Sequence, residues 1–225
     1  MELWHVLNRG VDGRDLFMDD RDRLRFIHDL YEFNDVLPAD SNTGYRFKSM
    51  DIVSPYIEKR KRERLVEIHG WCLMKNHYHL LLSELIEGGL SLFLRKLNVG
   101  YAKSFNEKYG RAGTLFQSRT KKILIENEAH FNHILHYIHL NPLDYLAGAE
   151  EWRERSHSGI TSAKEALDYL EGYRWSSYPD YVGKKNLPSI LTTSFFKDAL
   201  GDYFRSLKEY LSDVETDLEP LRLER

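Results

Sequence analysis

Residues 65–83 read LVEIHGWCLMKNHYHLLLS, two short apolar runs joined by Lys75-Asn76. Runs of this length, rich in Leu, Ile and Val and bounded by polar residues, read as strands, and the Lys75-Asn76 pair reads as the tight turn between them. Two adjacent strands follow, and Gly88-Gly89 punctuates the chain beyond the second.

The flanking sequence supplies the remaining elements. Upstream, residues 3–8 read as a strand and residues 9–13, RGVDG, as a turn; Asp19-Asp20 can cap a helix in which Leu24, Ile27, His28 and Tyr31 recur through Asn34. Downstream, Leu90, Leu94, Leu97, Tyr101 and Phe105 keep helical spacing through Tyr109, until residues 110–113 stop them. Residues 115–125 form the next extended segment, with Thr120, Ile123 and Ile125 as its β-branched members. Asn127 can cap a helix running through Phe131, Ile134, Leu135 and Ile138 to Pro142.

The order strand, helix, strand, strand, helix, strand, helix predicts an α+β chain with a ferredoxin-like, split βαβ (RRM-like) antiparallel sheet carrying helices. It divides into a domain over residues 1–145 and a helical C-terminal extension over 146–225, with helical pieces at 147–155, 163–171 and 193–211. Residues 38–64, ending in the charged cluster EKRKRER, read as an exposed insertion.

Composition narrows the class. In 225 residues, 42% are hydrophobic, 13% aromatic and 30% charged, which describes a folded chain with a core. The first residues lack the basic and apolar regions of a secretory signal, no run reaches the length of a membrane span, and Cys72 has no partner for an internal disulfide; a cytoplasmic protein is expected. A net charge of −3 argues against a surface that grips nucleic acid throughout. The basic charge is local: Arg95, Lys96, Lys103, Lys108, Arg111, Arg119, Lys121 and Lys122 face only Glu107, while the tail after Asp213 is acidic.

His77 and His79 alternate with Tyr78 on a predicted strand, so both imidazoles share one face and can hold one ion. An isolated pair of this kind is more often two satisfied polar residues in a half-buried strand. Tyr137 and Asn141 lie four apart on a predicted helix, which puts a hydroxyl and an amide oxygen on one side. Each alone reads as a core aromatic and a helix terminus. Tyr101 is the competing nucleophile, but Phe105 stands four residues on and cannot bind metal; Asn106 is a minor alternative ligand, and Tyr31, Tyr78 and Tyr109 read as core or surface. His136 and His139 flank Tyr137, yet helical geometry turns them from its face, and no chemical role is assigned to them.

Together, MKNHYHLLL, LFQSRTKKILIENEAHF and YIHLNP in this order, with the opening HVLNRGVDGRDLFMDDRDR and, more loosely, YRWSSYPDYVG, resemble the REP-associated tyrosine transposases, relatives of the IS200-like single-tyrosine HUH transposases. The resemblance implies that His77, His79 and Asn141 are metal ligands and Tyr137 the nucleophile. Two imidazoles and an amide oxygen suit Mg²⁺ or Mn²⁺ and do not close the tetrahedron of a structural zinc. The implied activity is cleavage and joining of single-stranded or hairpin DNA through a 5′-phosphotyrosine.

Such substrates are held by a positive groove and stacking aromatics. Arg9, Arg14, Arg119, Lys121 and Lys122 are candidates for phosphate contacts. Lys75, where relatives commonly carry proline, adds a further charge beside the metal and phosphate. A monomer is expected, with a homodimer as the alternative. The acidic tail and the insertion lie outside the resemblance. Two rivals stay open: a DNA-binding protein that has lost catalysis, and a metal-dependent hydrolase whose histidines activate water.

Overall fold

A computed structural model describes residues 2–38, 62–147, 152 and 163–212. Strand β1 (Leu3–Arg9) leads through a short turn to helix α1 (Asp20–Glu32). Asp19 closes a capping box there, its carboxylate accepting from the Asp22 amide while Asp22 accepts from the Asp19 amide. Strands β2 (Val66–Leu73) and β3 (His77–Glu84) form the hairpin, followed by helix α2 (Gly89–Lys108), strand β4 (Lys121–Leu124) and helix α3 (Glu128–Leu140). The strands lie in the order β2-β3-β1-β4 with every neighbour antiparallel. That is the ferredoxin-like arrangement expected from the pattern.

Alternation along the strands gives the sheet two covered faces. Val6, Trp71, Leu73, Tyr78, Leu80 and Leu82 face α1 and α2, where they pack with Phe26, Leu30, Phe93 and Leu97. On the opposite face Leu3, Cys72 and Leu81 pack with Ile134, Leu135 and Ile138 of α3. Gly70 permits that second layer to come close: a Cβ there would lie 2.7 Å from Leu135 Cδ1, and the register of β2 shifts between Ile68 and Gly70.

The C-terminal helices α4 (Ala163–Gly172), α5 (Tyr178–Tyr181), α6 (Ser194–Leu200) and α7 (Tyr203–Ser212) extend the same core, contributing Leu167, Leu170, Tyr178, Phe196, Tyr203 and Leu207. The buried His139 bolts them to α3 and the sheet. One ring nitrogen meets Tyr203 Oη and the other Ser177 Oγ, both at 2.7 Å, and the Ser177 hydroxyl accepts from the Trp71 amide.

Several expected elements change in detail. The extended segment at 115–125 becomes a strand only over Lys121–Leu124, because its first half lies beyond the end of β1 and finds one bridge, Gly10 to Phe116. The helix expected over 193–211 breaks into α6 and α7 at Gly201, whose φ of 62° no helix can carry. Pro142 does not end the helical course at once: Asn141–Tyr145 continues as a 3₁₀ turn, since a proline near the start of a turn gives up no needed donor. Of the piece expected at 147–155 only Ala147 and Trp152 are described, and the insertion is described only at Pro38 and from Arg62. There Arg62 stacks on the Tyr31 ring at 3.8 Å and donates to the Tyr31 carbonyl, so its charge is not merely solvated. The acidic tail lies outside the described residues.

Candidate functional site

The strand register decides what surrounds the paired histidines. Arg9 stands opposite His77, Leu7 opposite His79 and His5 opposite Leu81, so His5, Leu7 and Arg9 share the face of His77 and His79. On the other side of β1, Leu7 pairs with Lys121 and His5 with Ile123, which extends that face to β4. The His77 and His79 rings lie 5.0 Å apart at 82°. The His5 and His79 rings are nearly parallel and meet edge to edge, 5.2 Å between centroids and 12° between planes, with His5 Nε2 2.9 Å from His79 Nδ1.

Helix α3 delivers the phenol to this cluster. Tyr137, 8% exposed, stands edge-on to His79 at 5.8 Å and to His5 at 5.9 Å. The indole of Trp152 lies 6.0 Å from the Tyr137 ring and donates to Asp144. Asn141 is fully buried one turn beyond Tyr137, its Nδ2 donating to the Tyr137 carbonyl at 2.8 Å. With the amide nitrogen committed to the helix, the amide oxygen is the end of Asn141 suited to a ligand role.

Burial acts most clearly on His5. It pushes the His5 imidazole down to about 3, with the charges of His130 and Lys121 acting in the same direction. His77 Nδ1 lies 2.7 Å from Asn76 Oδ1, so in both paired histidines Nδ1 is engaged and Nε2 is the nitrogen each would present to an ion. Among the described residues no group of three or more His, Cys, Asp or Glu is placed to hold a metal ion. His77 and His79 offer imidazole nitrogens and Asn141 an amide oxygen, donor types that suit a divalent cation such as Mg²⁺ or Mn²⁺.

The remaining sequence candidates separate by face. Lys121 shares the histidine face, whereas Lys122 turns to the other side of the sheet and reaches Ser91 of α2 at 3.2 Å. Arg9 and Arg14 are part-exposed near the His77 end, and Arg119 is exposed in the loop before β4. Lys75 is exposed in the hairpin turn, paired with Asp15 at 3.2 Å. Some of the local basic charge is structural: Lys108 pairs with Asp19 and Asp22, and Lys96 donates to the carbonyls of Asp35 and Leu37.

Tyr101 belongs to the opposite core, packed on Phe17 and Phe26 with its hydroxyl donating to the Leu16 carbonyl. Asn106 serves its own loop, donating to the Gly113 carbonyl and accepting from Arg111. Sequence reasoning passed over His5 and Asn76. Only the β1–β3 register brings His5 to His79, a fact no spacing along the chain contains. His136 and His139, given no chemical role, hold the C-terminal layer: His136 meets Ser206 of α7 at 3.1 Å.

Comparison with known proteins bears on the same segment. The model of the family described as "Transposase IS200 like" matches residues 47–141, which takes in His77, His79, Tyr137 and Asn141. A solved structure of a REP-associated tyrosine transposase bound to a REP hairpin is 16% identical, with a TM-score of 0.47 over 85% of this chain and 84% of that one. No curated protein matches the chain.

Proposed function

We propose, taking residues 47–141 as an IS200-like transposase domain, that the protein is a divalent-metal-dependent transposase that cleaves and rejoins single-stranded, hairpin-bearing DNA through Tyr137. The observation that supports it most is the Tyr137 ring standing edge-on to His79, with His77 beside it.

In this reading His77, His79 and Asn141 hold a Mg²⁺ or Mn²⁺ ion. When bound, the ion acts as a Lewis acid that polarises the scissile phosphate and steadies charge on the departing oxygen. Tyr137 Oη attacks phosphorus, and the bond to the 3′ oxygen breaks. A 3′-hydroxyl leaves and the 5′ phosphate stays on the phenol oxygen, which gives up its proton as the bond forms. Attack of another 3′-hydroxyl on that link reverses the step and joins strands. The bond energy stays in the phosphotyrosine, so no nucleotide is consumed.

Residues 1–145 act as the catalytic domain and 146–225 as a C-terminal extension, of which helix α7 braces α3 through Tyr203 and Ser206. Arg9, Arg14, Lys75, Arg119 and Lys121 line the approach of the phosphate backbone. Since strand and helix of one chain bring the phenol to the imidazoles, a monomer can assemble the site. Among the described residues no helix is long and apolar enough to cross a membrane.

The test is incubation of the protein with a library of single-stranded hairpin DNAs and Mn²⁺. A covalent protein–DNA adduct is expected, absent with Tyr137→Phe. Retention of DNA binding with no adduct across the library would favour a binding protein of the same fold. Cleavage that survives Tyr137→Phe would favour a hydrolase that activates water.

A further inference from the structure

Two side chains outside the proposed ligand set touch the His77 and His79 imidazoles at Nδ1. Asn76 Oδ1 lies 2.7 Å from His77 Nδ1, and His5 Nε2 lies 2.9 Å from His79 Nδ1. Resting on the metal site assigned above, we propose that Asn76 and His5 are positioning residues. They accept the Nδ1 hydrogens of His77 and His79, so that both rings present Nε2 to one divalent cation.

The argument is one of tautomers. A neutral imidazole carries one hydrogen, and a ring that binds metal through Nε2 must carry it on Nδ1, where an acceptor fixes ring orientation and raises ligand basicity. Asn76 is oriented for that role by its own second contact. Its Nδ2 donates to the Gly13 carbonyl at 3.3 Å, which leaves Oδ1 as the atom toward His77. Backbone contacts hold the turn as well, since Gly10 N donates to the Asn76 carbonyl at 2.8 Å and Leu16 N to that of Lys75 at 2.9 Å.

His5 meets the same requirement from the neighbouring strand. It is fully buried, nearly parallel to His79 and edge to edge with it, and diagonal to it across the β1–β3 pair. Its Nε2 accepts if His5 carries its hydrogen on Nδ1. The opposite assignment, His5 donating, would put the hydrogen of His79 on Nε2 and block coordination there. Ion binding and the His5 tautomer are therefore linked: a cation on His79 requires His5 to be the acceptor.

The experiment measures Mn²⁺ affinity of the full chain without DNA, by titration calorimetry and by electron paramagnetic resonance of the free ion. The unaltered protein is expected to bind and His77→Ala to lose binding. Asn76→Ala and His5→Phe should each weaken Mn²⁺ by roughly 10- to 100-fold, the usual cost of removing such an outer partner. Asn76→Asp, which keeps an acceptor toward His77 but gives up the donation to Gly13, should bind more tightly than Asn76→Ala. If His77→Ala abolishes binding while Asn76→Ala and His5→Phe bind as the unaltered protein does, the inference fails and the metal site stands. If the unaltered protein binds no Mn²⁺, the metal site itself falls, and this inference with it.

A second measurement needs no variant. Long-range ¹H–¹⁵N correlation of the Mg²⁺-loaded protein should show His77 and His79 hydrogenated on Nδ1. A hydrogen on Nε2 of His79 in that state overturns the assignment.

Discussion

The rings of Tyr137 and His79 meet edge-on, 5.8 Å between centroids and 85° between planes, one carried by α3 and the other by β3. Neither element sets that meeting alone. It follows from α3 packing onto the face of the sheet that bears the histidines, over the gap left by Gly70.

Removing the hydroxyl alone separates chemistry from packing. A phenylalanine at position 137 keeps the edge contact to His79, so Tyr137→Phe should unfold within about 1.5 kcal/mol of the unaltered protein. Adduct formation should fall by at least about a thousandfold, as expected for loss of a nucleophile. Denaturant unfolding and a gel assay for covalent DNA check the two halves.

Lys121 and Lys122 are neighbours in sequence on opposite faces of the sheet. Lys121→Ala should weaken binding of single-stranded DNA and reduce the slope of log K against log salt by about 0.7, one phosphate contact. Lys122→Ala should leave both unchanged. Equal effects from the two would contradict the assignment of the histidine face as the DNA side.

His139 holds Tyr203 Oη and Ser177 Oγ, both at 2.7 Å, inside the core. His139→Leu keeps the volume but strands those hydroxyls, and a loss of about 2–4 kcal/mol is expected from urea unfolding. Ser177 retains its contact with the Trp71 amide, which moderates the cost.

Acid should destabilise the fold through His69. Burial holds its imidazole below the ordinary 6.5, against the opposing pull of the Thr192 carbonyl. The folded state thus refuses a proton that the unfolded chain accepts. The His69 share of stability is fully present above about pH 6.5 and declines as pH falls below it, by at most roughly 1.4 kcal/mol per pH unit, with buried His5 and His139 adding to the loss in the same direction. Melting temperature measured from pH 7.5 to 5 should drop, and His69→Asn should make the decline shallower without removing it.

The sequence by itself determined the sheet, its helices and the parity of His77 and His79. Strand alternation and helical spacing are local, and the turn at Lys75-Asn76 is written in the chain. Tyr137 and Asn141 were legible as one side of a helix for the same reason. What only the tertiary structure decided is which faces meet. The register of β1 on β3 set His5 against His79, the end of β1 cut the strand at 115–125 to Lys121–Leu124, and the C-terminal helices claimed His136 and His139. Those outcomes depend on contacts between residues remote along the chain, whose energies no single window of sequence contains.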